Sequence, residues 1–272
     1  MSPARPYRLS GMSYADVDGL ALWYDEHGSG DPLILLHGGM GASEMFDPIL
    51  DQLAAGRRVI MVDLPGHGHT ASPGKPLRYE DMADQIAGLI RHLGLDQADL
   101  MGLSLGGGVA QRTAIQHPAL VRRLIVVSAP CRQDGWFPEV VAGQSALGPE
   151  AAEMIKQSPF YAHYAKVAPN PDDWTRHVCE VGELLSHDYD WTAGVADITA
   201  PTLLVFADTD SVRPAHIVEF FGLLGGGLAD PGWDGATGPA QLAILPGHTH
   251  YVMAGSPAVA EAATAFLDAV SR

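Results

Sequence analysis

Short apolar runs alternate with amphipathic helical patterns along most of the chain. The runs have lengths typical of buried strands, and they cover residues 20–24, 33–36, 59–62, 100–103, 124–127, 203–206 and 242–245. Strands that alternate with helices are typical of a parallel sheet covered on both faces. We therefore predict an α/β fold: a mostly parallel, twisted sheet of about eight strands, with helices on both faces and a helical cap insertion.

The ends of two helices can be predicted from local signals. Apolar residues recur at helical spacing over residues 79–93, and Gly94 follows as the expected C-cap. The last helix is predicted to have Ser256 as N-cap and Pro257 at its first position, and to continue through Val270.

The alternation is interrupted once, between residues 131 and 197, where no apolar run of comparable strength occurs. We predict that residues 1–130 and 198–272 form the core domain, and that residues 131–197 form a helical cap over one end of the sheet. The insertion is rich in aromatic residues. Most should pack its own core, but a few should face a substrate cavity, and the candidates are Trp136, Met154, Tyr161 and Tyr164.

Composition and charge narrow the classes of partner. The formal net charge is −16, from 16 basic and 32 acidic residues, which argues against nucleic-acid binding and indicates an acidic, solvated surface. No apolar run approaches the roughly 18–20 residues needed to cross a bilayer, so no membrane partner is expected. The first thirty residues lack a signal-peptide pattern, so a cytoplasmic location is expected. Cys131 and Cys179 form no CxxC pair, which favours reduced, structural thiols.

The strongest local motif is the segment "DLMGLSLGGGVAQRTAIQHP", in which an apolar strand ends in Gly-x-Ser-x-Gly and a helix follows at once. In this context the motif predicts a nucleophile elbow, with Ser104 as the nucleophile. Small residues are needed because the turn holds the serine in a strained conformation between strand and helix. The amides at the start of the helix can then stabilise an anion that forms there.

A serine nucleophile also needs amide donors for the oxyanion, and "PLILLHGGMG" offers them directly after a strand. We assign the backbone N–H groups of Gly39 and Leu105 to the oxyanion hole, with Met40 as the adjacent alternative. His37 is interpreted as a brace that holds this loop by hydrogen bonds.

These segments together resemble the α/β-hydrolase superfamily, over nearly the whole chain. The matching segments, in order, are "LLHGG", "VIMVDLPGHGHT", "GLSLGGGVA", "PTLLVFADTDSVRP" and "LPGHTHY". The resemblance implies a triad in the chain order serine, acid, histidine. It also implies that His67 and His69, in the loop after a central strand, are structural.

The family pattern after the strand that precedes the acid is Gly-x-x-Asp-x-(Ile/Val)-x-Pro. When Ala207 is aligned with the glycine of this pattern, Asp210 aligns with the acid. Val212 and Pro214 then match the (Ile/Val) and Pro positions. Asp208 is then a turn-forming or helix-capping group.

For the base, the family pattern resembles Gly-x-x-His followed seven residues later by Pro. His250 fits, with Gly247 before it and Pro257 after it, whereas His248 fits neither end. Only one imidazole can lie between the serine and the acid, so His250 is the predicted general base.

Serine at position 104 excludes the dehalogenases of this fold, which need an aspartate nucleophile. The triad predicts a serine hydrolase of the carboxylesterase or lactonase type, acting on an uncharged small-molecule ester or lactone without cofactor or metal. A carbon–carbon bond hydrolase and a cofactor-free perhydrolase use the same triad and stay open as alternatives. A non-catalytic receptor would need a broken triad. The expected oligomeric state is a monomer or homodimer.

Overall fold

The computed structural model describes residues 13–230, 232–233 and 238–269. Within these residues the strands of the single sheet are β1 Ser13–Val17, β2 Leu20–Gly28, β3 Asp31–Leu36, β4 Arg57–Val62, β5 Ala98–Leu103, β6 Val121–Val127, β7 Thr202–Thr209 and β8 Ala240–Thr249. Their order across the sheet is β1-β2-β4-β3-β5-β6-β7-β8. The pairings of β1 with β2 and of β2 with β4 are antiparallel, and all the others are parallel. The predicted α/β fold with about eight strands is confirmed.

The helices of the described residues are α1 Asp47–Leu53, α2 Tyr79–His92, α3 Leu105–Gln116, α4 Pro138–Ser145, α5 Pro149–Ile155, α6 Pro159–Val167, α7 Trp174–Ser186, α8 Thr192–Ala196, α9 Pro214–Leu223 and α10 Pro257–Asp268. One face of the sheet packs against α2, α3 and α9, and the other packs against α1 and α10. Successive residues of the central strands alternate between the two cores: Ile34 enters one, and Leu35 enters the other. Both faces are therefore buried, as expected for parallel strands.

Both predicted helix ends agree with the structure where it describes them. Gly94 lies just beyond α2 with φ of +66°, a conformation that costs glycine little. Pro257 opens α10, but the Ser256 side chain does not cap it; it lies 2.8 Å from the ring of His248 instead. Val270 lies outside the described residues.

Between β6 and β7 the chain forms five α-helices, α4 to α8. The start of this segment is tied to the loop after β7, because Trp136 pairs with Val212 in an isolated antiparallel bridge. Trp174, Tyr164, Val178 and Ala152 form a small core of their own within the segment. In the part of the chain that the structure describes, no helix is both long and apolar enough to span a bilayer.

Candidate active site

Ser104 lies at the sharp turn between β5 and α3, with φ of 51° and ψ of −115°. Left-handed backbone at a non-glycine residue costs of order 1–3 kcal/mol, so the surrounding structure must hold it there. The flanking glycines make the turn sterically feasible. A Cβ on Gly102 would lie 2.1 Å from the carbonyl oxygen of Gly106, and a Cβ on Gly106 would lie 2.2 Å from that of Leu36. The structure thus places the serine in the predicted elbow.

The ring of His250 lies between Ser104 and Asp210. Its Nε2 is 3.1 Å from the Ser104 hydroxyl oxygen, and its Nδ1 is 3.0 Å from Oδ1 of Asp210. With the proton on Nδ1, the imidazole donates to the carboxylate and presents Nε2 as an acceptor to the serine hydroxyl. These distances are the hydrogen-bonding geometry that a nucleophile, a general base and an orienting acid require.

The carboxylate of Asp210 is almost fully buried, with 1% of its side chain exposed. Oδ2 accepts hydrogen bonds from the hydroxyl of Ser128 at 2.6 Å and from the N–H of Ala207 at 2.9 Å, while Oδ1 accepts a longer one from Val212 N–H. Burial by itself raises the pKa of Asp210. The hydrogen bonds from His250 and Ser128 outweigh that effect, so the pKa lies below its ordinary value and the group is ionised at neutral pH.

His248 and Asp208, each two residues before a triad residue, have other partners. The ring of His248 contacts the carbonyl oxygen of Pro246 at 2.9 Å and the hydroxyl of Ser256 at 2.8 Å, so it points away from the nucleophile. Asp208 accepts hydrogen bonds from the backbone N–H groups of Gly247 and His248. The structure therefore brings His250 and Asp210 to Ser104, as the sequence pattern predicts, and not their neighbours.

The glycine loop after β3 lies against the nucleophile. A Cβ on Gly38 would lie 3.7 Å from Cβ of Ser104, and the N–H of Gly106 donates to the carbonyl of His37 at 3.0 Å. Within the part of the chain that the structure describes, the N–H groups of Gly39, Met40 and Leu105 have no hydrogen-bond acceptor in the protein. All three candidate oxyanion donors thus lack a partner among the described residues, and their role in the oxyanion hole stays a prediction.

His37 holds this loop in place. Its ring donates from Nδ1 to the carbonyl of Gly38 at 2.8 Å and accepts at Nε2 from the N–H of Leu64 at 3.0 Å. Complete burial lowers the pKa of His37, which keeps the ring neutral and makes this donor–acceptor pattern stable. The contacts match the predicted role of a brace.

The four predicted cavity residues have different positions. The ring of Trp136 contacts the ring of His250 edge-on, with 5.7 Å between their centres. Tyr161 and Tyr164 both pack on Trp174, in the small core of the segment between β6 and β7. Met154 is 73% exposed, because the buried side of α5 is formed by Ala151 and Ala152. The side chain of Met154 thus faces solvent here, and its place at a substrate cavity stays a prediction.

Apolar side chains that sequence analysis did not identify surround the glycine loop. A Cβ on Gly39 would contact Leu105, Val181 and Leu185 at 3.5–3.7 Å. Val181 and Leu185 lie on α7. Their spacing is that of an ordinary amphipathic helix, and it does not indicate which end of the helix lies near the nucleophile. Beyond Met40, a cavity of about 240 Å³ opens between the glycine loop and α6, with Met45 and Phe160 in its lining.

Ser128 is the other residue that sequence analysis missed. It directly follows the apolar run of β6, and a polar residue at the carboxyl end of a central parallel strand was the available signal.

Comparison with known proteins agrees with the fold. Residues 31–159 match the profile of the alpha/beta hydrolase fold family. A crystal structure of E-2-(acetamidomethylene)succinate hydrolase superposes with a TM-score of 0.74 at 25% identity, and the match covers 96% of this chain and all of that one. The chain has the α/β-hydrolase fold. Two curated relatives of this α/β-hydrolase differ in how much of their length is similar to it.

One relative is similar over almost its whole length, and the other over less than half. The 2-(acetamidomethylene)succinate hydrolase of Mesorhizobium japonicum is 28% identical over 275 residues, which cover 93% of this chain and 94% of that protein. The pimeloyl-[acyl-carrier protein] methyl ester esterase of Salmonella heidelberg is 36% identical over 129 residues, which cover 45% of this α/β-hydrolase and 48% of the esterase. Relatives of this α/β-hydrolase are thus hydrolases with different substrates.

Proposed function

We propose that this α/β-hydrolase is a serine hydrolase that cleaves a carboxylic ester or a lactone through an acyl-enzyme. The observation that carries the proposal is the position of His250, whose ring is within hydrogen-bonding distance of both Ser104 and Asp210. An elbow serine paired with an imidazole, and an imidazole paired with a buried carboxylate, form the arrangement that activates a hydroxyl as a nucleophile.

In the acylation half of the reaction, Ser104 Oγ attacks the ester carbonyl carbon while Nε2 of His250 takes the hydroxyl proton. The carbonyl π-electrons move to oxygen, and free amides at Gly39 and Leu105 are the proposed donors to that oxyanion. The start of α3 adds a partial positive charge on the same side. The tetrahedral intermediate then collapses, the carbon–oxygen bond to the leaving group breaks, and His250 returns the proton to the leaving alkoxide.

Deacylation repeats these steps with water as the nucleophile. His250 takes a proton from water as it attacks the acyl carbon, and returns the proton to Ser104 Oγ as the acyl–serine bond breaks. For an ester the products are an acid and an alcohol, and for a lactone they are one hydroxy acid. The buried charge of Asp210 stabilises the imidazolium formed in each half-reaction without itself taking the proton.

The apolar side chains around Gly39, which are Leu105, Val181 and Leu185, support an uncharged, apolar acyl group. The cavity beyond Met40 is also lined by the paired side chains of Glu44 and His163, and its volume of 240 Å³ is smaller than the ~300–1,000 Å³ of sites for drug-sized ligands. We therefore propose substrates of modest size. Residues 131–197 are proposed to act as the cap of the site, since Trp136 and α7 reach it. Monomer or homodimer assembly and a cytoplasmic location stay predictions.

The test is a substrate panel of neutral p-nitrophenyl esters, lactones and vinylogous diketones, assayed on the wild-type protein and on Ser104→Ala. A fluorophosphonate probe that phosphonylates activated serines gives a second readout that does not depend on knowing the substrate. We expect labelling and ester or lactone turnover in the wild type, and neither in Ser104→Ala.

Two results would contradict the proposal. Absence of labelling in the folded wild-type protein would show that Ser104 is not an activated nucleophile. Labelling together with turnover of the diketones but not of esters or lactones would assign the triad to carbon–carbon bond hydrolysis instead.

A further inference from the structure

Ser128 and Ser104 occupy corresponding positions on neighbouring strands. Both have φ of 51°. Each directly follows a parallel strand and donates its N–H to the next strand of the sheet: Ser104 to the carbonyl of Val127, and Ser128 to that of Val205, both at 2.9 Å. The two hydroxyls differ in access, since Ser104 is partly exposed and Ser128 is fully buried. Ser128 therefore cannot act as a nucleophile on a substrate.

Glycine at position 128 would adopt this backbone conformation with less strain, because it has no Cβ that clashes at positive φ. A serine held in this conformation indicates that its side chain has a use that outweighs the strain. Its hydroxyl lies 2.6 Å from Oδ2 of Asp210, and it is the only side chain other than His250 that hydrogen-bonds this carboxylate in the described part of the chain.

Each oxygen of the Asp210 carboxylate has two partners. Oδ2 accepts from Ser128 and from the N–H of Ala207, so its two lone pairs are used, while Oδ1 accepts from Nδ1 of His250 and, at 3.3 Å, from the N–H of Val212. Without the Ser128 hydroxyl, Oδ2 would have a free lone pair in a buried site, and the carboxylate could turn to share it with the imidazole. The ring of His250 would then lose its single orientation toward Ser104.

We infer that Ser128 is a positioning residue of the triad, which fixes the side-chain rotamer of Asp210 and thereby directs Nε2 of His250 at Ser104. The inference rests on the proposed function, because it assigns Ser128 a part in activating the same nucleophile. Ser128 acts through Asp210 and does not touch the substrate, so it affects the chemical steps and not substrate binding.

Two variants separate positioning from a structural role. Ser128→Ala removes the hydroxyl and keeps the backbone strain, whereas Ser128→Gly removes the hydroxyl and relieves the strain. We expect both to lower kcat by about tenfold or more, as expected for loss of a hydrogen bond to a charged group, with KM changed less than twofold. Their melting temperatures should differ, with Ser128→Gly the more stable of the two.

The pH profile provides a further readout. The hydrogen bond from Ser128 helps to hold the pKa of Asp210 below its ordinary value, so without it Asp210 should take up an inactivating proton at higher pH. The acidic limb of kcat/KM should therefore move to higher pH in both variants. Asp18→Gly is the matched control, because Asp18 also has φ of 51° but lies in the exposed turn between β1 and β2; it should leave kcat and the pH profile unchanged.

The rate of fluorophosphonate labelling at Ser104 is measured alongside esterase kinetics. Together they distinguish failure of the inference about Ser128 from failure of the proposed hydrolase function. Labelling of the wild type with slower labelling of both Ser128 variants supports the inference. Labelling of the variants at the wild-type rate, or an activity loss that follows the melting temperature and is absent in Ser128→Gly, overturns it and leaves the proposed function standing. An unlabelled wild type overturns both.

Discussion

Asp208 accepts a hydrogen bond from the backbone N–H of Gly247, with 2.9 Å between the carboxylate oxygen and the nitrogen. Two residues later, Asp210 binds the ring of His250 instead. Two aspartates at the end of β7 thus act on two parts of the neighbouring segment: Asp208, inside the strand, holds the backbone near the end of β8, and Asp210, just beyond the strand, orients the imidazole of His250.

This division predicts unequal effects of two matched substitutions. Asp210→Asn should lower kcat by about 10⁴-fold, because an amide cannot hold the imidazole in the tautomer that presents a free Nε2 to Ser104. Asp208→Asn should lower kcat less than about tenfold, because the amide oxygen still accepts one of the two backbone hydrogen bonds. Steady-state kinetics on a p-nitrophenyl ester, with circular dichroism to verify folding, measures both. Equal losses from the two variants would show that the loop backbone matters as much as the acid.

The two histidines of this loop give a second matched pair. His250→Ala should lower kcat by three or more orders of magnitude, since the general base is lost. His248→Ala removes the contact with the Ser256 hydroxyl and should cost about 1 kcal/mol of unfolding free energy, with kcat within a few-fold of wild type. The checks are single-turnover kinetics and chemical denaturation. A large loss of kcat in His248→Ala with normal activity in His250→Ala would reverse the assignment of the base.

Gly39→Ala tests the space above the nucleophile. The added methyl group would make ordinary contacts with Leu105, Val181 and Leu185, so the fold should be retained. The same methyl group occupies room that a substrate acyl group would use. We expect kcat/KM for butyrate and longer p-nitrophenyl esters to fall more than that for acetate, and the ratio of the two is the measurement. An unchanged ratio would place the acyl group elsewhere.

Two glycine-to-alanine substitutions should change stability in opposite directions. Gly106→Ala puts a Cβ 2.2 Å from a backbone carbonyl oxygen of β3, so it should destabilise the fold by several kcal/mol and abolish activity. Gly143→Ala on α4 meets no atom within 4 Å and should stabilise the protein by about 0.5–1 kcal/mol. Denaturant titration of both variants gives the comparison. A stable, active Gly106→Ala would contradict the close approach of α3 to the glycine loop.

The buried histidines predict acid sensitivity of the fold. Burial and the nearby ring of His37 lower the pKa of His177 to about 4. In the unfolded chain a histidine takes up its proton near pH 6.5, so the unfolded state binds more protons than the folded state between about pH 6.5 and 4. Stability should therefore fall as the pH drops through this window, by roughly 2–3 kcal/mol for His177 alone.

His177→Phe isolates this contribution. The ring is 2% exposed and stacks on Tyr164, so phenylalanine can replace it in the same packing. We expect the variant and the wild type to differ little in the pH dependence of melting temperature above pH 7, and the variant to lose less stability between pH 7 and 4. Parallel slopes in that window would show that His177 is not buried in its neutral form.

Much of the fold was predictable because the central strands are buried on both faces and appear as continuous apolar runs. β1 was missed for the opposite reason: only Ala15 and Val17 of its five residues are buried, which leaves too short an apolar signal. The helix ends at Gly94 and Pro257 were predictable because the backbone preferences of glycine and proline do not depend on tertiary contacts.

The site residues were predictable where the motif also fixes the backbone, as at Ser104. The role of Ser128 was not predictable. Ser128 and Asp210 are 82 residues apart in the sequence, and they meet only because β6 and β7 are neighbours in the sheet. Tyr161 and Tyr164 were predicted to face the substrate cavity, and their packing on Trp174 was not predictable for the same reason. An aromatic residue on a short helix can pack on Trp174 or face a ligand, and only the arrangement of the helices distinguishes the two.

The bridge between Trp136 and Val212 affects how parts of this protein could be exchanged with those of a homologue. Phe137 N–H also donates to the carbonyl of Ser211, and Arg213 N–H donates to that of Gly135, so residues 135–137 form a short ladder with the loop that carries Asp210. A chimaera joined at residue 131 would replace residues 135–137, which form one side of this ladder beside Asp210. A junction placed after Phe137 would keep both sides of the ladder, so we expect the exchange to be tolerated better several residues inside the boundary predicted from the sequence.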